Sequence, residues 1–118
     1  VTLGLVLVGQ VNIAQGILNV VAQLLGSLTG AYILRAIVPI AQDRTGGLGS
    51  NGVSEGFSKT NAFVGEVMMT FLLVFVVLET AVNPNSAANR ALACVAIGFA
   101  VFLAHCVLIP IDGCSINP

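Results

Sequence analysis

From Val1 to Leu34 no side chain carries a charge. One bilayer crossing needs about 20 consecutive apolar residues, so this run alone exceeds what the hydrocarbon demands. Two further apolar stretches come later in the chain. Asn61 to Val82 is interrupted only by Glu66 and Glu79, and Ala91 to Ile111 contains His105 as its only group that titrates near neutral pH. Arg35, Asp43, Arg44, Glu55 and Lys59 crowd between the first two runs, and Arg90 comes after Asn83-Pro84-Asn85-Ser86. The pattern predicts an all-α, multi-pass integral membrane protein with spans at about 12–37, 61–82 and 90–109.

Composition removes the alternatives. Of 118 residues, 57% are hydrophobic and 8% charged, whereas a soluble domain carries roughly a quarter charged residues. Too few charges remain to coat a water-facing surface. Four Lys+Arg against five Asp+Glu give no basic field for nucleic acid, and so apolar a chain is not disordered. No nucleophile–base pair or phosphate loop suggests an enzyme, and no cofactor is implied. The positive-inside rule has little to count, but Arg90 leans toward its side being cytoplasmic.

The first span carries two stripes. Gln15, Asn19 and Gln23 recur four apart and share one helical face. Ala22, Gly26 and Gly30 form a small-residue ridge one step round from Gln23, and such ridges let membrane helices approach closely. Ala96, Ala100 and Ala104 repeat the device in the third span. A packed bundle is therefore expected rather than a lone anchor.

Before the first span, Val1 to Val8 is apolar but spans only about 12 Å as helix, too short to cross. At the other end, Pro110 and Gly113 disfavour continued helix, and Asn117-Pro118 resembles an N-cap with Pro at the first helical position. The chain reads as cut at both ends. Between spans one and two, Pro39 to Thr60 is Gly-rich and long enough to be either functional or a flexible surface connection. The short Asn83-to-Asn89 connection predicts that spans two and three are antiparallel neighbours. Cys94, Cys106 and Cys114 lack the paired spacing of structural zinc sites; Cys94 and Cys106 read as small buried hydrophobes.

In order, these pieces resemble the middle of the major intrinsic protein, or aquaporin, family. Val1-Thr2-Leu3-Gly4 is similar to the segment just after that family's first Asn-Pro-Ala box. Ala22-Gln23 with Gly26 and Gly30 resembles its third span, and Leu48-Gly49-Ser50-Asn51-Gly52 its third connecting loop. Glu66 with Thr70-Phe71-Leu72-Leu73-Val74-Phe75 resembles the fourth span. His105 and Gly113-Cys114-Ser115-Ile116-Asn117-Pro118 resemble the fifth span and the second box. The resemblance implies part of a six-helix bundle built from inverted repeats: the end of one half-helix (1–8), three spans, and a re-entrant loop (110–118) that opens another.

Its implied function is a passive water channel, most like the water-selective branch. His105 and Cys114, nine residues apart, match two constriction positions, where an imidazole narrows the ring, bonds water and excludes a carbon skeleton. Asn117 would donate its amide N–H to passing water, and the carbonyls of Gly113, Cys114 and Ser115 would form an acceptor ladder. Glu66, costly as an unpaired carboxylate in hydrocarbon, would brace the re-entrant loop. Asp112 departs from the family's neutral residue and is either wet or bonded to the loop. The short connection before Arg90 implies no gate there. The implied partners are the lipid bilayer, water as permeant and a homotetramer, in the plasma membrane rather than an internal one. The isolated stretch is expected not to conduct.

Three alternatives stand beside it. A glycerol or other small-solute channel is opposed by His105 and Cys114. A metal site of His105, Cys106, Asp112 and Cys114 is awkward, because adjacent helical residues point about 100° apart. A structural membrane protein with no pore is the third.

Overall fold

Helix ends obey capping chemistry written in the chain. The first helix, α1 (Thr2–Leu7), ends because Gly9 adopts a left-handed φ of 73°. The Gly9 N–H then donates to the Val6 carbonyl at 3.0 Å and the Gln10 N–H to the Leu5 carbonyl at 2.9 Å, the pairing that closes a helix on a glycine. Asn12 starts α2 (Ile13–Ile37) by accepting from the Gln15 N–H at 2.8 Å. Pro39 lies two residues beyond its end, where helix cannot continue. Ser58 and Asn61 form a reciprocal capping box that opens α3 (Lys59–Val77). The last helix among the described residues is α4 (Ala93–Leu108).

The computed structural model describes residues 1–116, and no strand occurs among them. Three helical stretches are long and apolar enough to cross a membrane: Ile13–Ile37, Lys59–Val82 and Pro84–Leu108. Two edges differ from the sequence expectation. The second stretch ends in a π-helical turn, Leu78–Val82. The Thr80 hydroxyl donates to the Val76 carbonyl at 2.6 Å, and the Asn83 N–H reaches back five residues to Leu78 at 2.8 Å. The expected loop before the third span is instead a 3-10 helix, Pro84–Leu92, running into α4. Pro84 pre-sets its first turn and the Asn83 side chain accepts from the Asn85 N–H at 2.9 Å.

The chain divides into two units, Thr2–Ser50 and the residues from Asn51 onward. In the first, α1 lies over the start of α2. Gly16 is the buried residue of α2, and a Cβ there would come within 2.6 Å of the Val6 side chain, so glycine is what permits the approach. The amide stripe is bonded rather than idle: Gln15 donates to Asn19 at 2.8 Å and Gln23 to the Thr2 hydroxyl at 2.8 Å. The Gly-rich connection is also braced. Asp43 accepts from the Thr45 hydroxyl at 2.6 Å, the Thr45 N–H at 2.9 Å and the Leu48 N–H at 2.8 Å. These bonds, led by the Thr45 hydroxyl, hold its carboxyl down at about 2.

In the second unit α3 packs on α4. Ala93, Ala100, Ala104 and Leu108 are buried on α4, facing Ala62, Glu66 and Val77, which are buried on α3. Of the expected alanine stripe, Ala100 and Ala104 are buried and Ala96 is half-buried, and Gly65 extends the contact from the other side: a Cβ there would sit 2.7 Å from Leu108 Cδ2. In lipid this contact is held by dispersion at close range, not by release of water. Ala104, Leu108 and Cys114 form its centre, with Met69, Ile111 and Ile116 around them.

Candidate functional site

The segment after α4 does not simply fray. The N–H groups of Ile111, Asp112 and Gly113 all return to the Leu108 carbonyl, at 2.9, 2.9 and 3.2 Å. The chain then takes left-handed backbone at Gly113 (φ 96°), Cys114 (φ 65°) and Ile116 (φ 50°). For a residue with a Cβ that conformation costs about 1–2 kcal/mol, and it persists only where the surroundings over-determine it.

Here they do. The Cys114 N–H donates to Asp112 Oδ1 at 3.1 Å and the Ser115 N–H to Glu66 Oε1 at 2.6 Å. Asn51, with its amide oxygen turned toward the same two donors, accepts from Ser115 at 3.0 Å and from Cys114 at 3.2 Å. Two backbone bonds strap the neighbouring residues: Gly52 N–H to the Asp112 carbonyl at 2.9 Å, and Ser54 N–H to the Ile111 carbonyl at 2.8 Å. Glu66 and Asp112 are buried, and a buried carboxylate is tolerable only where donors replace its water. The loop's own amides are those donors.

Peptide geometry then fixes what the other side of the loop presents. In a trans peptide the N–H and C=O point in opposite directions. The N–H groups of Cys114 and Ser115 share their planes with the carbonyls of Gly113 and Cys114. Turning the donors toward Asn51, Asp112 and Glu66 therefore turns those two carbonyls away from them. Among the described residues no backbone donor takes either carbonyl.

His105 is half-buried on α4, adjacent to Ala104 and one turn before Leu108. Its Nδ1 lies 2.8 Å from the Val101 carbonyl. A carbonyl can only accept, so Nδ1 carries the hydrogen, and in the neutral ring Nε2 is the acceptor. Cys114 is buried beside Leu108 and Ala104, whereas Gly113 and Ser115 are exposed. Asn117 lies outside the described residues. The open question about Asp112 is answered by its burial and its bond to Cys114: it belongs to the loop. Glu79 is exposed and accepts from Asn83 Nδ2 at 2.9 Å. Ala22, Gly26 and Gly30 are exposed on α2, with open space before both glycines. Cys94 and Cys106, expected to be buried, are exposed, because the buried face of α4 is the one carrying Ala100, Ala104 and Leu108. Nor do His105, Cys106, Asp112 and Cys114 gather as ligands: among the described residues no group of three or more His, Cys, Asp or Glu could hold a metal.

Asn51 and Gly52 lie in the motif that resembles the third connecting loop, but sequence reasoning gave neither them nor Ser54 a role. The one local signal is Asn51-Gly52 inside a Gly-rich connection, which reads as a turn. Nothing in it names a distant backbone as partner.

Comparison with known proteins points in the same direction. The family profile described as major intrinsic protein matches residues 1–118. Aquaporin PIP2-7 of Musa acuminata is 41% identical over 122 residues, covering 100% of this chain and 43% of the relative. Probable aquaporin PIP2-7 of Oryza sativa subsp. japonica is 41% identical, with 100% of this chain and 41% of the relative covered. Aquaporin PIP1-6 of Zea mays is 39% identical over 121 residues, covering 100% of this chain and 40% of the relative. The chain thus spans about two-fifths of the length of these relatives.

Proposed function

Because the chain belongs to the major intrinsic protein family, we propose that it is the central part of a passive water channel in the plasma membrane, with the loop after α4 forming part of the permeation path. The observation that carries this reading is the pair of loop amides at Cys114 and Ser115, both turned into protein acceptors. The carbonyls of Gly113 and Cys114, opposite them, become a ladder of acceptors for water, continued by that of Ser115.

A water channel must pass a neutral dipole while stopping ions. Apolar walls stop ions because a dehydrated charge is expensive in low dielectric. A small set of fixed polar groups replaces the hydrogen bonds that water loses in single file. Irregular backbone at membrane depth is tolerated only where it lines a cavity or is buried in protein; one side of this loop is clamped, and we assign the carbonyls of the other side to the wall of the passage. His105 adds an acceptor at Nε2 and its ring narrows the passage against a carbon skeleton. Cys114 contributes bulk at the same level. Asn117, outside the described residues, is the residue we assign as the donor that complements the ladder. Glu66 holds the loop without touching the permeant. Four copies assemble as a homotetramer, each with its own pore, and Ala22, Gly26 and Gly30 are a packing surface for helices of the bundle. The chain spans about two-fifths of the length of its relatives, and we assign no conduction to this stretch by itself. No catalytic chemistry or cofactor enters this function.

The test is stopped-flow osmotic shrinkage of proteoliposomes carrying the full-length protein. Fast water flux without proton leak or glycerol uptake supports the reading. Glycerol uptake comparable to water flux would favour a solute channel, and flux equal to empty vesicles would leave only a structural role.

A further inference from the structure

We infer that Asn51 is a positioning residue for permeation: it sets the direction of the Gly113 and Cys114 carbonyls by holding the amides on their far side. The consequence for transport rests on the channel reading above, but the positioning itself is a property of the loop.

Three independent contacts place Asn51 there. Its amide oxygen meets both the Ser115 and Cys114 N–H groups, at 3.0 and 3.2 Å. Of the three acceptors in this cluster it is the one that engages both peptide planes, since Asp112 takes the Cys114 N–H and Glu66 that of Ser115. The backbone next to Asn51 is tied to the same loop, through Gly52 N–H to Asp112 and Ser54 N–H to Ile111. Finally, Asn51 lies against Gly113: a Cβ on Gly113 would stand 3.4 Å from Asn51 Cα and 3.6 Å from its Cγ. Gly113, at φ 96°, adopts a backbone that side chains rarely take and lies at ordinary contact distance from Asn51.

The physical need for Asn51 arises from the strain. Cys114 sits at φ 65°, a conformation from which the peptide planes on either side relax if either amide loses its acceptor. Glu66 and Asp112 each pin one plane. Asn51 couples the two, so that both carbonyls keep one direction. A peptide flip at either plane would point an N–H at the permeating water where an acceptor is required, and break the ladder.

The experiment uses the full-length protein with Asn51→Asp, Asn51→Gln and Asn51→Ala. Asn51→Asp keeps an acceptor at the same reach. Asn51→Gln keeps the amide but moves its oxygen outward by one methylene, and it stands in for Asn51→Ala should that variant not fold. Hydrogen exchange at Cys114 and Ser115 reads the positioning without reference to transport. Osmotic permeability per channel reads the consequence. Losing one backbone acceptor should speed exchange about fivefold in Asn51→Gln and Asn51→Ala, with water flux down about threefold or more and parental values in Asn51→Asp. Unchanged exchange in Asn51→Gln and Asn51→Ala would overturn the inference. So would faster exchange with undiminished water flux, or failure of Asn51→Asp to restore both. If the parent protein carries no water, the channel reading fails, while the exchange arm still decides whether Asn51 holds the loop.

Discussion

Glu66 and Ser115 lie 49 positions apart in sequence, yet the Ser115 N–H donates to Glu66 Oε1 at 2.6 Å. That contact ties a carboxylate in the middle of α3 to the loop after α4, and it explains how an acidic residue can sit in an apolar span. The span supplies the acceptor and the loop supplies the donor, so each segment answers a need of the other.

Glu66→Gln should therefore be mild and Glu66→Leu severe. Gln retains an acceptor oxygen at the same reach but gives up the charge assistance. Leu leaves a loop amide short of its main acceptor, at about 1–3 kcal/mol. Thermal unfolding of the full-length protein in detergent should show Glu66→Leu well below Glu66→Gln, and water flux should fall in the same order. Equal stability of the two variants would remove the bracing role.

His105→Gly should admit glycerol. Removing the ring deletes both the bulk and the Nε2 acceptor, while the Val101 carbonyl, now without its side-chain partner, keeps its helical bond. Glycerol uptake into proteoliposomes should rise about tenfold or more with water flux retained. A variant as glycerol-tight as the parent would show that the narrowing lies elsewhere.

Cysteine reactivity should track exposure. Cys94 and Cys106 are exposed and Cys114 is buried against Leu108 and Ala104. A membrane-permeant alkylating reagent should label Cys94 and Cys106 first, and mass mapping of the labelled peptides would show the order. Any inhibition by mercurials that develops on the slower timescale of Cys114 labelling should vanish in Cys114→Ser. Fast labelling of Cys114 ahead of the other two would contradict its place in the core.

The Asp43 loop sets an acid limit. Its carboxyl is lowered from 3.8 to about 2 by the Thr45 hydroxyl, the Leu48 N–H and the Thr45 N–H. A depressed carboxylate stabilises the fold fully above its unfolded value and loses that contribution as pH falls through the folded one. The difference in exchange protection at Leu48 between the parent and Asp43→Ala should hold at about pH 5 and shrink as pH falls from about 4 to about 2. A difference that persists unchanged at the acid end would show that the carboxylate is not what braces the loop.

The spans were legible because charge-free runs have one physical reading in lipid, and Asn12, Ser58 and Pro39 punctuate them by local rules. Glu66 was legible for a related reason: a carboxylate in such a run must meet a donor. Family resemblance then supplied which donor to expect. Asn51 was not legible, because its bonds depend on two distant segments meeting, and its neighbourhood reads only as a turn. The exposure of Cys94 and Cys106 was missed because apolarity says which residues avoid water but not which face of a membrane helix meets protein. The π-helical turn at Leu78–Val82 turns on one hydroxyl, that of Thr80, competing for a backbone carbonyl inside an otherwise regular apolar run.

The most direct test is a crystal structure of the full-length protein at a resolution that locates ordered water. Water oxygens within about 2.7–3.2 Å of the Gly113 and Cys114 carbonyls, with another at His105 Nε2, are the predicted result. Those carbonyls turned toward side chains or acyl chains, with no water beside them, would contradict the account.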